Sequence, residues 1–204
     1  MKIYLIRHAE KEKGDYFNPH LRHQDEPISP RGRQQAEDLV SYFTGQAVSA
    51  IYISGYQRTR QTAAPLAGRL GLEPIVDERL NEIDNGLLDG LSDEEVRARY
   101  PDVWQAFLNK SADFRFPGGE TGEEARDRAS SLLEEIRRTN AGDVVVISHE
   151  GLIRILVCYF MGLPVYDRWN FHVDFCGITE VVAGGGNRQW KLIRFNQVVI
   201  PIFC

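Results

Sequence analysis

The sequence predicts an α/β fold: a three-layer α/β/α sandwich on a mostly parallel central sheet, with a C-terminal antiparallel hairpin and a small inserted helical lid. Three observations carry this expectation. Short β-branched runs alternate with amphipathic stretches of helical period along most of the chain. "DVVVIS" (143–148) reads as a buried strand, and the mostly apolar helix after it must pack on a sheet. The chain then closes with two strand-like runs around a Gly-Gly-Gly-Asn turn, the mark of a hairpin.

The elements follow in order. "KIYLI" (2–6) is a short buried strand of β-branched and aromatic residues. "SPRGRQQAEDLVSYFTG" (29–45) is a helix with Ser29 as N-cap, Pro30 in the first helical position and Gly45 as its stop. "VSAIYIS" (48–54) is a second strand. "QRTRQTAAPLAGRLG" (57–71) has helical tendency, although Pro65 should kink it or begin a new turn. "EPIVD" (73–77) is a third, weaker strand. Between 80 and 118 Gly and Pro punctuate short helical pieces, one opened by a Ser92–Glu95 capping box, and this segment is the expected lid. "GETGEEARDRASSLLEEIRRT" (119–139) is a helix with acids first and arginines last, as the macrodipole prefers. "HEGLIRILVCYFMG" (149–162) is the mostly apolar helix, and 177–196 is the hairpin. The Trp104, Phe107, Leu108 spacing is read as core, and Arg126, Arg128, Arg137 and Arg138 as a solvated helix face.

Composition narrows the function. A chain of 204 residues, 43% hydrophobic and 26% charged, is ordinary for one globular domain, here 1–204 with 80–118 as an insert. A net charge of -5 leaves no basic footprint for nucleic acid, whereas local arginine pairs such as Arg58/Arg60 suit a small anionic ligand. Cys158, Cys176 and Cys204 have no CxxC spacing, which argues against a disulfide framework or structural zinc and for a reducing compartment. No signal-peptide core follows Met1-Lys2, and no apolar run approaches the ~20 residues of a membrane span. A cytoplasmic protein without membrane or nucleic-acid partners is expected. The apolar "VVIPIFC" (198–204) points to packing on the core or on a partner, so a homodimer is among the expected assemblies.

In parallel α/β sheets ligands bind beyond the carboxyl ends of the strands. After the first strand come Arg7 and His8; after the second, Ser54 and then Arg58 at a helix start; after the third, Glu82; after "DVVVIS", His149 and Glu150. Two histidines, two arginines and two acids thus converge on one edge. Arginine's planar fork suits phosphate oxygens. A neutral imidazole among cations can attack phosphorus, and a protonated carboxyl group can serve the leaving alcohol and then activate water. The scheme requires no metal and no cofactor.

The same residues resemble the histidine phosphatase superfamily, the phosphoglycerate-mutase-like proteins. "LIRHAE" resembles the RHG signature, "DEPISPRGRQQA" (25–36) the D-x-P-L-T-x-x-G-x-x-Q-A segment, and "SGYQRTRQTA" (54–63) the S-x-x-x-R-x-x-Q-T-A segment. "LNEIDNGLLDG" (80–90), "PGGET" (117–121) and "ISHEGLIR" (147–154) resemble L-x-E-x-x-x-G-x-x-x-G, PGGES and VSHGGVIR, in the family's order. Each match alone is weak; together they are specific. The resemblance implies His8 as the phosphorylated nucleophile, Arg7, Arg58 and His149 as the phosphate pocket, and Glu82 as proton donor.

Two positions depart from the family pattern. Ala9 replaces the signature glycine, a change that costs little where φ is negative. Glu150 replaces a glycine, and because a distant branch carries its acid there, Glu150 rivals Glu82; the L-x-E context favours Glu82. Glu150, Arg115, His20 and His23 are the candidate substrate-binding residues, the two histidines as lining of the substrate mouth rather than metal ligands. The expected activity is hydrolysis of small phosphorylated metabolites through phospho-His8. A phosphoglycerate mutase is the alternative, although the mutase-type stretch after the acid is absent, and a phosphoprotein-binding scaffold is the third reading.

Overall fold

The structure, a computed structural model, describes residues 1–21, 23–184 and 190–199. In chain order the elements are β1 (Lys2–Arg7), β2 (Phe17–Asn18), β3 (His23–Gln24), α1 (Pro30–Tyr42), β4 (Val48–Ile53), α2 (Gln57–Leu70) and β5 (Ile75–Val76). There follow α3 (Asp93–Arg99), α4 (Pro101–Asn109), α5 (Gly122–Thr139), β6 (Asp143–Ser148), α6 (Glu150–Met161), β7 (Ile178–Ala183) and β8 (Trp190–Gln197). Six strands form the central sheet in the order β5-β4-β6-β1-β7-β8. The first four in that order run parallel, and β7 and β8 add an antiparallel hairpin. The turn of this hairpin beyond Gly184, and residues 200–204 of the apolar C-terminal stretch, lie outside the described residues.

Period-two alternation divides the core between the two faces. Ile3, Leu5, Val144 and Val146 meet Ala129, Leu132 and Leu133 of α5 and Ile153 and Leu156 of α6. Tyr4, Ile6, Ile51, Ile53, Val145 and Ile147 meet Ala36 and Leu39 of α1 and Ala63 and Leu66 of α2. This is the three-layer sandwich. Register brings the strand ends level: Arg7 pairs with Ser148, and both Ile6 and Ile53 pair with Ile147. Whatever follows Ile53, Ile6 and Ile147 is therefore delivered to one place.

Local chemistry starts the helices where expected. The Ser29 side chain accepts from the Gly32 N–H, and full capping boxes open α3 (Ser92 with Glu95) and α5 (Thr121 with Glu124). Three features differ from the sequence reading. Helix α2 continues through Pro65 to Leu70, because Thr62, Ala63, Leu66 and Ala67 are buried on both sides of the proline and packing overrides its penalty. The two-residue ribbon β2–β3 is too short to leave any period in the sequence. The Trp104, Phe107, Leu108 stretch is not core: α4 has no buried residue, and Leu108 is 52% exposed.

Urea unfolding tests this division. Leu133→Ala, in the core between α5 and the sheet, should cost about 3 kcal/mol. Leu108→Ala should stay within about 0.5 kcal/mol.

Candidate active site

His8 stands one residue past β1. Its backbone N–H donates to Ser148 O at 2.8 Å, and its Nδ1 lies 2.8 Å from the Ala9 carbonyl oxygen. A carbonyl only accepts, so Nδ1 carries the proton and Nε2 keeps its lone pair. The ring is buried, and this burial, followed by the Arg58 charge, holds its pKa well below the ordinary histidine value. His8 is a neutral imidazole with a free Nε2. Ala9 is fully buried outside the left-handed region, with its N–H on Thr62 Oγ1 at 2.9 Å, so a methyl group fits where the signature has glycine.

Arg58, in the first turn of α2, reaches back under the strand ends. Its Nη2 donates to His149 Nδ1 at 3.2 Å, its Nη1 to Glu26 Oε2 at 3.3 Å, and the guanidinium lies 4.1 Å over the Tyr56 ring. Arginine can only donate, so His149 carries its hydrogen on Nε2 and passes it to Ser54 Oγ at 2.8 Å. His149 is fully buried at the N-cap position of α6, and burial and Arg58 again hold its pKa well down. The rings of His8 and His149 are 5.2 Å apart. Arg7 completes the cationic wall: its Nη1 donates to Val173 O at 2.6 Å and pairs with Glu150 Oε2 at 2.8 Å. Arg7 Nε and Arg58 Nε are buried donors without a partner among the described residues.

Glu82 arrives on a turn tied at two points, by Ser148 Oγ donating to Leu80 O at 2.8 Å and the Gly55 N–H donating to Asn81 Oδ1 at 2.8 Å. Its Oε1 accepts from the backbone N–H groups of Ile83 and Leu152, both at 2.9 Å, and its Oε2 from that of Gly151 at 3.1 Å. The N-terminus of α6 thus holds this carboxylate, as helix N-termini favour. A Cβ on residue 151 would stand 2.7 Å from Oε1, so a side chain there would push this carboxylate aside. Oε1 carries two donors and Oε2 one, which leaves a lone pair of Oε2 for a proton.

Arg128 is a correction to the sequence reading. It lies off the solvated face, with Nη1 on Arg79 O at 2.7 Å and Nη2 on Glu82 O at 3.1 Å and on Glu120 Oε1 at 2.6 Å. Glu120 in turn accepts from the Asp84 N–H at 3.0 Å. Arg128 and Glu120 therefore clamp the Glu82 turn from outside. Sequence reasoning missed them, as it missed Glu26, because charged residues on a surface helix or in a loop look solvated; it missed Tyr56 because an aromatic beside a strand end looks like ordinary packing. Their sole signal was position inside segments already singled out, such as "DEPIS", "SGYQR" and "PGGET".

Arg7, His8, Arg58, Glu82 and Glu150 line one cavity of about 810 Å³, together with His23. His149 stands behind Arg58. Glu150 is held between guanidinium groups, with Arg7 on Oε2 and Arg154 on Oε1. His23 bridges Asp84 and Asp89, each at 3.2 Å. His20 is exposed in the loop between β2 and β3 and does not line this cavity. Arg115 is also exposed: it donates to Gly119 O at 3.0 Å and pairs with Glu124 at the start of α5. Among the described residues no helix is long and apolar enough to cross a membrane.

Against known proteins, residues 3–197 match the histidine phosphatase superfamily (branch 1). The chain belongs to this superfamily. It is 34% identical to phosphoserine phosphatase 1 of Hydrogenobacter thermophilus over 85% of this chain and 82% of that protein. It is 30% identical to a probable phosphoglycerate mutase of Escherichia coli over 89% of this chain and 84% of that one. Among solved structures, a mycobacterial glucosyl-3-phosphoglycerate phosphatase in complex with inorganic phosphate shares the fold with a TM-score of 0.81 at 23% identity, over 97% of this chain and 98% of that one. The alpha-ribazole phosphatase of Shigella flexneri does so with a TM-score of 0.80 at 19% identity, over the full length of both.

Two histidines held neutral by this histidine phosphatase fold give a pH signature. Their folded pKa values are depressed, so below about pH 6.5 the unfolded chain binds protons that the folded one refuses, and this share of stability is lost as pH falls. Urea titrations at successive pH values should show His149→Gln losing up to about 1.4 kcal/mol per pH unit less than wild type in that window.

Proposed function

We propose that this histidine phosphatase is a metal-independent phosphomonoesterase that hydrolyses small phosphorylated metabolites through a phosphohistidine on His8. The observation that carries the reading is the His8 tautomer: Nδ1–H is spent on the Ala9 carbonyl, and a neutral Nε2 faces a cavity walled by Arg7 and Arg58. Nε2 attacks phosphorus, the P–O bond to the alcohol breaks, and the oxygen leaves with the proton of Glu82. Arg7 and Arg58, the latter held by His149, meet the charge spread over the equatorial oxygens. Glu82 then takes a proton from water, which attacks the phosphohistidine and releases phosphate, and the Nε2 lone pair is restored.

Glu82 suits the acid role better than Glu150. Among the described residues only neutral backbone N–H groups hydrogen-bond the Glu82 carboxylate, whereas both oxygens of Glu150 are held by guanidinium groups. The curated relatives named as a phosphatase and a mutase keep transfer to a second hydroxyl as the alternative. The open cavity favours water as the acceptor. Buried, unpaired Cys158 and Cys176 agree with a reducing, cytoplasmic setting.

Phosphate release from a panel of esters in EDTA tests the proposal. Wild type should turn over with EDTA present, and His8→Ala should lose at least 10³-fold. Glu82→Gln should lose most on alkyl esters and far less on nitrophenyl phosphate, whose leaving group needs no proton; the same pattern in Glu150→Gln instead would move the acid to residue 150.

A further inference from the structure

Beside the phosphate cavity lies a second hollow of about 370 Å³, with walls of a different kind. Val96 of α3, Val103, Trp104 and Phe107 of α4, and Phe116 and Trp169 surround it. Trp104 and Phe107 are stacked, with ring centroids 6.1 Å apart, and Phe107 meets Trp169 edge-on at 4.9 Å. Neither α3 nor α4 has a buried residue, and the apolar side chains of Val96, Val103, Trp104 and Phe107 line this hollow instead of the two core clusters on the sheet. The two hollows share Glu82, Ile83, Asn85 and Glu150, and so they join at the carboxylates.

We propose that the second hollow receives the alcohol portion of the substrate and selects a ring-sized apolar group over a small charged one such as serine or glycerate. This rests on the phosphatase reading of the first cavity. In-line displacement puts the leaving oxygen on the side of phosphorus opposite His8 Nε2. If Glu82 protonates that oxygen, the carbon attached to it points past Glu82, and the α3–α4 hollow lies there. Its volume and aromatic lining are those of sites that bury apolar ligands. Its two arginines already have counter-charges, Arg154 with Glu150 and Arg168 with Asp113 at 3.1 Å, although Arg154 Nε and Arg168 Nη2 have no hydrogen-bond partner among the described residues; its further acids are Glu82, at the junction with the first cavity, and Asp93, exposed at the rim. A carboxylate inside would lose water and meet only guanidinium groups that already have a counter-charge.

Phenethyl phosphate and ethyl phosphate test the proposal, because both release primary alcohols and differ in the ring alone; phosphoserine and phosphoglycerate supply the charged arm. Wild type should favour the phenethyl over the ethyl ester about tenfold or more in kcat/KM, and disfavour both charged esters. Trp104→Ala, which removes a wall, and Val96→Phe, which fills the hollow, should each bring that ratio toward one, with thermal melting as the check on folding. A wild-type ratio near one, a preference for a charged ester, or a ratio untouched by both variants would overturn the assignment while the phosphatase reading stands. No phosphate from any of the four esters would remove the phosphatase reading and this proposal with it.

Discussion

A neutral imidazole buried beside two guanidinium groups is the constraint on which the rest of this structure depends. Histidine would gain a proton if it were solvated near a carboxylate; here the ring is buried, and the nearest strong charge, Arg58, repels a second cation. The fold enforces this. β1 and β6 are fixed in register, the His8 N–H is tied to Ser148 O, and the His8 Nδ1–H is tied to Ala9 O, so the ring has one orientation and one tautomer. The sheet interior supplies the burial, because β1, β4 and β6, which deliver Arg7, His8, Ser54 and His149, have helices on both faces. Architecture and reactivity are one problem at this point.

The two carboxylates divide along the same line. Glu82 is held by backbone N–H groups at the start of α6 and by a turn clamped from outside by Arg128 and Glu120. Glu150 belongs to the cationic wall, where it balances Arg7 and Arg154. Such a balance keeps the arginines in place without a ligand, and under the proposed function it makes Glu150 a competitor that an incoming phosphate would displace from Arg7. Glu82 also marks the boundary between a charged cavity and an apolar one.

Much of this was legible in the sequence, and for identifiable reasons. The strands 2–7, 48–53 and 143–148 announce themselves by runs of apolar residues, and a parallel sheet must put Arg7, Ser54 and His149 at one edge. The capping box at Ser92 is local and was found locally, whereas at Thr121 only the acids that follow it had marked the helix start. What the sequence hid was tertiary. Pro65 looks like a breaker until its neighbours are seen to be buried. Arg128 looks solvated until the Glu82 carbonyl is found against it. Trp104 and Phe107 look like core at their spacing, because an apolar helix face is the same whether it covers a sheet or a cavity.

The central claim is that His8 takes the phosphoryl group, and that it does so on one nitrogen. Acid-sparing, alkaline quench of turnover with a labelled phosphoester, followed by peptide mapping and phosphorus NMR, reads this directly. The hydrogen bond from Nδ1 to the Ala9 carbonyl predicts label on His8 as the Nε2 adduct. Label on the Nδ1 of His8, on His149 or on a carboxylate would contradict the account.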